Sequence, residues 1–171
     1  VSDINITFYS LSDYNAGLLI PKTFDLESLT NYDELSEART KWLEELTATK
    51  NDGELREEYI VCDYEGIPSE LVGEWDIDRN FGDYLEMVNK HSESLVNAAL
   101  ALQIPLDKIE DAYHGEFKSD TDLAYALVDE TGMLSEVPES VKNYFDYERF
   151  GHDLAMNDYS EFNGHYFHAN W

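Results

Sequence analysis

The feature that most constrains how this chain can fold is an acidic excess that runs its whole length. The 171 residues carry 37 Asp and Glu against 11 Lys and Arg, a net charge of −26. Residues 1–60 hold 13 acids and 5 bases, residues 61–110 hold 11 and 3, and residues 111–171 hold 13 and 3. The excess is therefore −8, −8 and −10 in successive stretches, unlike a solvated acidic tail on a neutral domain. Like charge spread through a folding unit opposes compaction, so an elongated chain of small subdomains is the expected answer. The 43% apolar and 13% aromatic content still supplies cores and argues against disorder.

The periodicities predict an α+β fold in three parts. Residues 1–65 read as an antiparallel sheet with one helix against it. Ile4, Ile6 and Phe8 alternate as in a half-buried strand, and residues 13–17 carry turn chemistry. The next strand, Leu18 to Phe24, contains Pro21 and so belongs at an edge. Leu35, Trp42, Leu43 and Leu46 recur at helical spacing from Tyr32 to Thr47. Asn31 and Glu34 are placed as a capping box, and Asn51-Asp52-Gly53 ends the helix. Glu57 to Tyr64 is a third strand, facing inward through either Tyr59, Val61 and Asp63 or Ile60 and Cys62.

Residues 66–104 read as a small helical subdomain, opened by Pro68 and two glycines. Phe81, Tyr84, Leu85 and Val88 mark one helix; Leu95, Ala98, Ala99 and Leu102 mark a second, stopped before Pro105. Residues 105–171 read as helices plus a hairpin. A short helix spans Asp107 to His114. Ser119 caps another, Asp120 to Glu130, and Gly132 ends it. Asn163-Gly164 between two aromatic runs is a strong hairpin signal, joining Tyr159–Phe162 to His165–Asn170.

Several chemistries find no support. Cys62 is the only cysteine, so no intramolecular disulfide forms, and its apolar surroundings predict a buried thiol. His165 and His168 fall on opposite faces of one strand, and no zinc spacing occurs; no metal or cofactor is expected. Ser119, Ser135 and Ser140 lack a nucleophile-elbow context. The charge would repel DNA, so no nucleic-acid partner is expected. No run is long enough to span a membrane, and no leader pattern opens the sequence, so a soluble, intracellular protein is expected.

The most distinctive stretch is residues 133–154, MLSEVPESVKNYFDYERFGHDL, with Tyr144, Phe145, Tyr147 and Phe150 among five acids. Pro138 suits the start of a short helix. The pairs Tyr144/Glu148 and Phe150/Leu154, each four apart, predict one aromatic face and one carboxylate face. This stretch resembles the signature motif of ArdA-type antirestriction proteins. The resemblance continues upstream through Ala112, Tyr113, Gly115, Ser119, Asp122, Ala124, Glu130, Thr131 and Gly132, and downstream through the tail DYSEFNGHYFHANW. Tyr14, Asn15 and Gly17, with Phe24 and Asp25, resemble the family's first strand pair. His152 stands where arginine is common in that family.

The resemblance implies a protein without enzymatic activity that imitates bent B-form DNA and occupies the DNA site of type I restriction–modification enzymes, chiefly on the DNA-recognition subunit. It also implies a homodimer joined through the C-terminal third, with Tyr144, Phe145, Tyr147 and Phe150 as interface candidates. Charge magnitude is compatible: at one phosphate per ~1.7 Å of duplex axis, the net charge would cover roughly 44 Å. The candidate acidic surface comprises Asp25, Glu27, Glu37, Glu44, Glu45, Asp76, Asp78, Asp83 and Glu86 from helix faces and turns. Asp120, Asp122, Asp129, Glu130, Glu136, Glu139, Asp146, Glu148 and Asp153 complete it from the motif region. Two alternatives stay open from sequence alone: an acidic module for another basic DNA-binding protein, and a hydrolase with a carboxylate pair.

Overall fold

The computed structural model describes residues 4–171. Among these, eight α-helices and two three-stranded antiparallel sheets give an α+β fold. The chain forms two compact units that meet in sequence between Lys90 and His91, inside the stretch 66–104.

In the first unit, β1 (Asn5–Ser10) lies between β2 (Pro21–Asp25) and β3 (Tyr59–Glu65). Alternation along β1 buries Ile6, Phe8 and Ser10. Onto that face packs α2 (Tyr32–Lys50) through Leu35, Arg39 and Leu43, one per turn. Asn31 accepts from the Glu34 N–H at 2.9 Å, while the Glu34 carboxylate accepts from the Thr30 N–H at 3.2 Å. Of residues 13–17, read as turn chemistry, Ala16 and Gly17 form a turn, whereas 13–15 belong to the short helix α1 (Leu11–Asn15), in which Asp13 is a buried ion-pair partner. A 3-10 turn (Ser69–Leu71) and α3 (Phe81–Lys90) complete the unit. Leu71, Ile77, Phe81 and Tyr84 are buried.

Cys62 corrects an expectation: it is exposed. On β3 the register pairs Phe8 with Val61 but Thr7 with Asp63, so Cys62 is the extra residue of a bulge. It sits beside Tyr9, whose phenol is pushed up by the hydrogen bond to the Cys62 thiol.

The second unit opens with α4 (Glu93–Ala101), capped by Ser92, and a 3-10 turn (Leu106–Lys108). Only Ile109–Ala112 then continues as helix α5. Tyr113, expected within a helix to His114, instead begins β4 (Tyr113–Glu116). It pairs with β6 (His165–His168), which also pairs with β5 (Tyr159–Phe162), in the order β4-β6-β5. The Asn163-Gly164 hairpin forms as expected, both residues at positive φ, 49° and 84°.

Against this sheet pack α6 (Asp120–Thr131) and α8 (Tyr147–Asn157), with Leu123, Ala124, Leu154, Tyr159 and Tyr166 in one core cluster. Gly151 lets α8 approach the start of α6: a Cβ there would run into the Asp120 carbonyl. Between them lies α7 (Glu139–Lys142), preceded by Pro138. The motif stretch breaks after Lys142 and restarts at Tyr147, so Tyr144 and Glu148 do not share a helix. Asp146 makes the restart, its carboxylate accepting from the Arg149 N–H at 3.0 Å.

Candidate functional site: the acidic surface

Sixteen of the eighteen candidate acids are exposed, in both units; Asp76 and Asp120 are half-buried. On α2 the exposed Glu37 and Glu44 are seven residues apart and so share a face, joined by Asp33 four residues before. On the outer face of the first sheet, Asp25, Asn5 and Glu65 lie in one cross-strand row, and Thr23, Thr7 and Asp63 in the next. Strand spacing puts Asp25 and Glu65 about 10 Å apart, and Asp63 and Glu65 about 6.7 Å apart at the Cα positions. Asp63 and Glu65 were missed in sequence because the inward phase of β3 was ambiguous; the bulge at Cys62 settles it.

Local hydrogen bonds hold some of these carboxylates in place. Asp25 accepts from the Ser28 hydroxyl at 2.6 Å and the Glu27 N–H at 2.9 Å, and these two bonds keep it below the usual carboxylate range. Asp122 accepts from the Ser119 hydroxyl at 3.1 Å. Cations offset little of the exposed charge: Lys142 sits 2.7 Å from Glu139, and Lys41 is 4.0 Å from Glu45. Both pairs keep an exposed carboxylate, and such pairs are weak.

Two candidates serve the interior instead. Asp120 accepts from the Tyr166 hydroxyl at 2.5 Å, and burial with this bond pushes the phenol well up. Asp76 receives Arg39 at 2.7 and 3.2 Å, the Tyr32 hydroxyl at 2.6 Å, the Tyr59 hydroxyl at 3.0 Å and the Ile77 N–H at 2.8 Å. Burial pushes its carboxyl up, but Arg39, Tyr32 and Ile77 together outweigh that and hold it low. The Arg39 guanidinium also lies 3.6 Å from the Tyr59 ring centroid and 5.0 Å from that of Phe8. A second buried pair went unforeseen. Arg56 makes two 2.8 Å bonds to Asp13 and a third to Asp52, and these hold both carboxyls low.

The four aromatic interface candidates separate. Phe150 and Tyr147 pack against the core cluster, Tyr147 stacking on Tyr125 at 3.9 Å. Phe145 sits edge-on to both, and Tyr144 is 86% exposed. Met133 and Val141 are also exposed nearby in sequence. An open groove of about 610 Å3 is lined here by Tyr125, Val128, Leu134, Lys142 and Tyr147.

For catalysis the geometry offers one constellation worth weighing. His165, buried, lies between the Ser94 hydroxyl at 2.8 Å and the Tyr113 hydroxyl at 3.2 Å. The pair is at nucleophile–base distance, but the third partner is a phenol, not a carboxylate. Asp13, Asp25, Asp52 and Asp76 are driven down. A general acid requires the opposite shift. Among the described residues no helix is long and apolar enough to cross a membrane.

No curated protein matches the chain. A family model described as antirestriction protein (ArdA) matches residues 9–168, and the chain belongs to that antirestriction family.

Proposed function

We propose that the chain inhibits type I restriction–modification enzymes by occupying their DNA-binding site, its carboxylates facing the lysines and arginines that otherwise hold phosphates. The observation that carries this reading is the exposure of sixteen candidate acids, on helices and turns of both units and on the sheet of the first. Each contact is a charge-assisted bond in a basic channel, and the summed field steers the encounter. A folded mimic also avoids the deformation cost of bending DNA, of order 1–6 kcal/mol. The chain acts as a homodimer through the C-terminal third, a pairing supported by the exposed Tyr144, Met133 and Val141; two copies double the charge presented.

The experiment is a competition. Purified protein is titrated against a type I enzyme bound to unmodified DNA, at low and high salt. Displacement that weakens steeply with salt, as screening requires, supports the reading. No displacement at low salt overturns it. An inhibitor of another basic DNA-binding protein would share the physics and fail only in this choice of enzyme.

A further inference from the structure

Charge alone leaves one exposed side chain unaccounted for. Trp75 is 52% exposed on the turn between Val72 and Ile77, next to the exposed Glu74. That turn is held on all sides. Val72 and Ile77 bridge, the Gly73 N–H donates to the Asp76 carbonyl at 2.8 Å, and the Asp78 N–H donates to the Leu71 carbonyl at 2.7 Å. The Val61 N–H of β3 donates to the Glu74 carbonyl at 3.0 Å. Beneath it, Arg39, Tyr32 and Tyr59 clamp the Asp76 side chain. The backbone that carries this aromatic is pinned before it meets a partner, which lowers a cost of binding, and tryptophan is among the residues most enriched as interface anchors.

We infer that Trp75 and Glu74 form an arginine-selective contact on the first unit, taking a guanidinium from a basic protein partner. A guanidinium is planar and weakly hydrated. It stacks on an indole face while still donating to a neighbouring carboxylate, which a compact ammonium does less well. The same unit already holds one arginine by these means, with Arg39 over the Tyr59 ring and forked onto Asp76. The charges flanking the turn are mainly acidic, with Glu70 and Asp78 exposed; the exposed Arg79 has its guanidinium 5.0 Å from the Tyr32 ring centroid. This inference rests on the inhibitory reading above and adds a selectivity to it: exposed carboxylates attract any cation, whereas Trp75 separates arginine from lysine.

The test follows the tryptophan indole N–H resonances of the 15N-labelled full chain during titration with tetra-arginine amide or tetra-lysine amide at equal ionic strength. Trp75→Phe assigns the Trp75 signal. Trp171, 48% exposed and preceded by Ala169 and Asn170, is the internal control. The expected result is a Trp75 shift that saturates about two- to fivefold earlier with the arginine peptide, as an exposed cation–π contact would give, with Trp171 responding weakly to both. Equal response to the two peptides, or equal response of the two tryptophans, overturns the inference. In the enzyme competition, Trp75→Ala should weaken displacement severalfold. If wild type displaces DNA and Trp75→Ala does so equally well, only this inference fails; if wild type does not displace DNA, the inhibitory reading fails whatever the peptides show.

Discussion

Arg39 shows at the scale of one residue why an acidic count is not an acidic surface. It occupies the middle of the buried stripe of α2, where an apolar residue is the default, and it neutralises Asp76 from 37 positions away. Arg39→Met would leave Asp76 half-buried without its cation, and breaking such a pair costs about 3–5 kcal/mol. Urea unfolding should show this loss in the first unit. His114 supplies a second residue-scale prediction. Its ring packs against Phe117, Tyr159 and His168. Burial and then the neighbouring His168 push its pKa down, with Glu130 opposing. The folded state therefore binds the proton more weakly than the unfolded chain. Stability is full above the unfolded value of about 6.5 and falls as pH drops through the lower folded value. Urea midpoints at pH 7.5 and 5.5 should differ in that direction, and His114→Gln should shrink the difference.

At the scale of elements, local chemistry was legible and long-range pairing was not. The Asn31 cap, the Ser119 cap, the Gly132 stop and the Asn163-Gly164 hairpin all rest on residues within a few positions of one another, and each forms. The start of β4, Tyr113 and His114, was read as the end of a helix because so short a strand has no period of its own; it becomes a strand by pairing with β6, about fifty residues later. The phase of β3 was undecided because a bulge interrupts it. Sixteen of the candidate acids are exposed, since helix faces and turns are local, whereas the internal use of Asp13 and Asp76 depends on arginines 43 and 37 residues away. Two substitutions test the elements. Asn31→Ala should cost about 1 kcal/mol as a lost cap. Gly151→Ala should cost about 1–3 kcal/mol, the usual price of overpacking, and should act on the second unit because its Cβ meets the Asp120 backbone. Denaturation followed by hydrogen exchange assigns each loss to its unit.

At the scale of the whole molecule, the net charge of −26 is shared by both units of this antirestriction-family chain. If inhibition comes from a summed field, no single exposed carboxylate dominates. Charge-neutral substitutions at Glu37, Glu44, Asp122 or Glu148 alone should each change inhibition less than about threefold, within the range of exposed ion pairs. The most direct measurement compares those singles with one variant carrying about a dozen such neutral substitutions, shown to be folded, in displacement of DNA from a type I enzyme at low salt. The account predicts near-silent singles and abolished inhibition in the combined variant. Full inhibition by the combined variant, or its loss on removal of a single exposed acid, would contradict it.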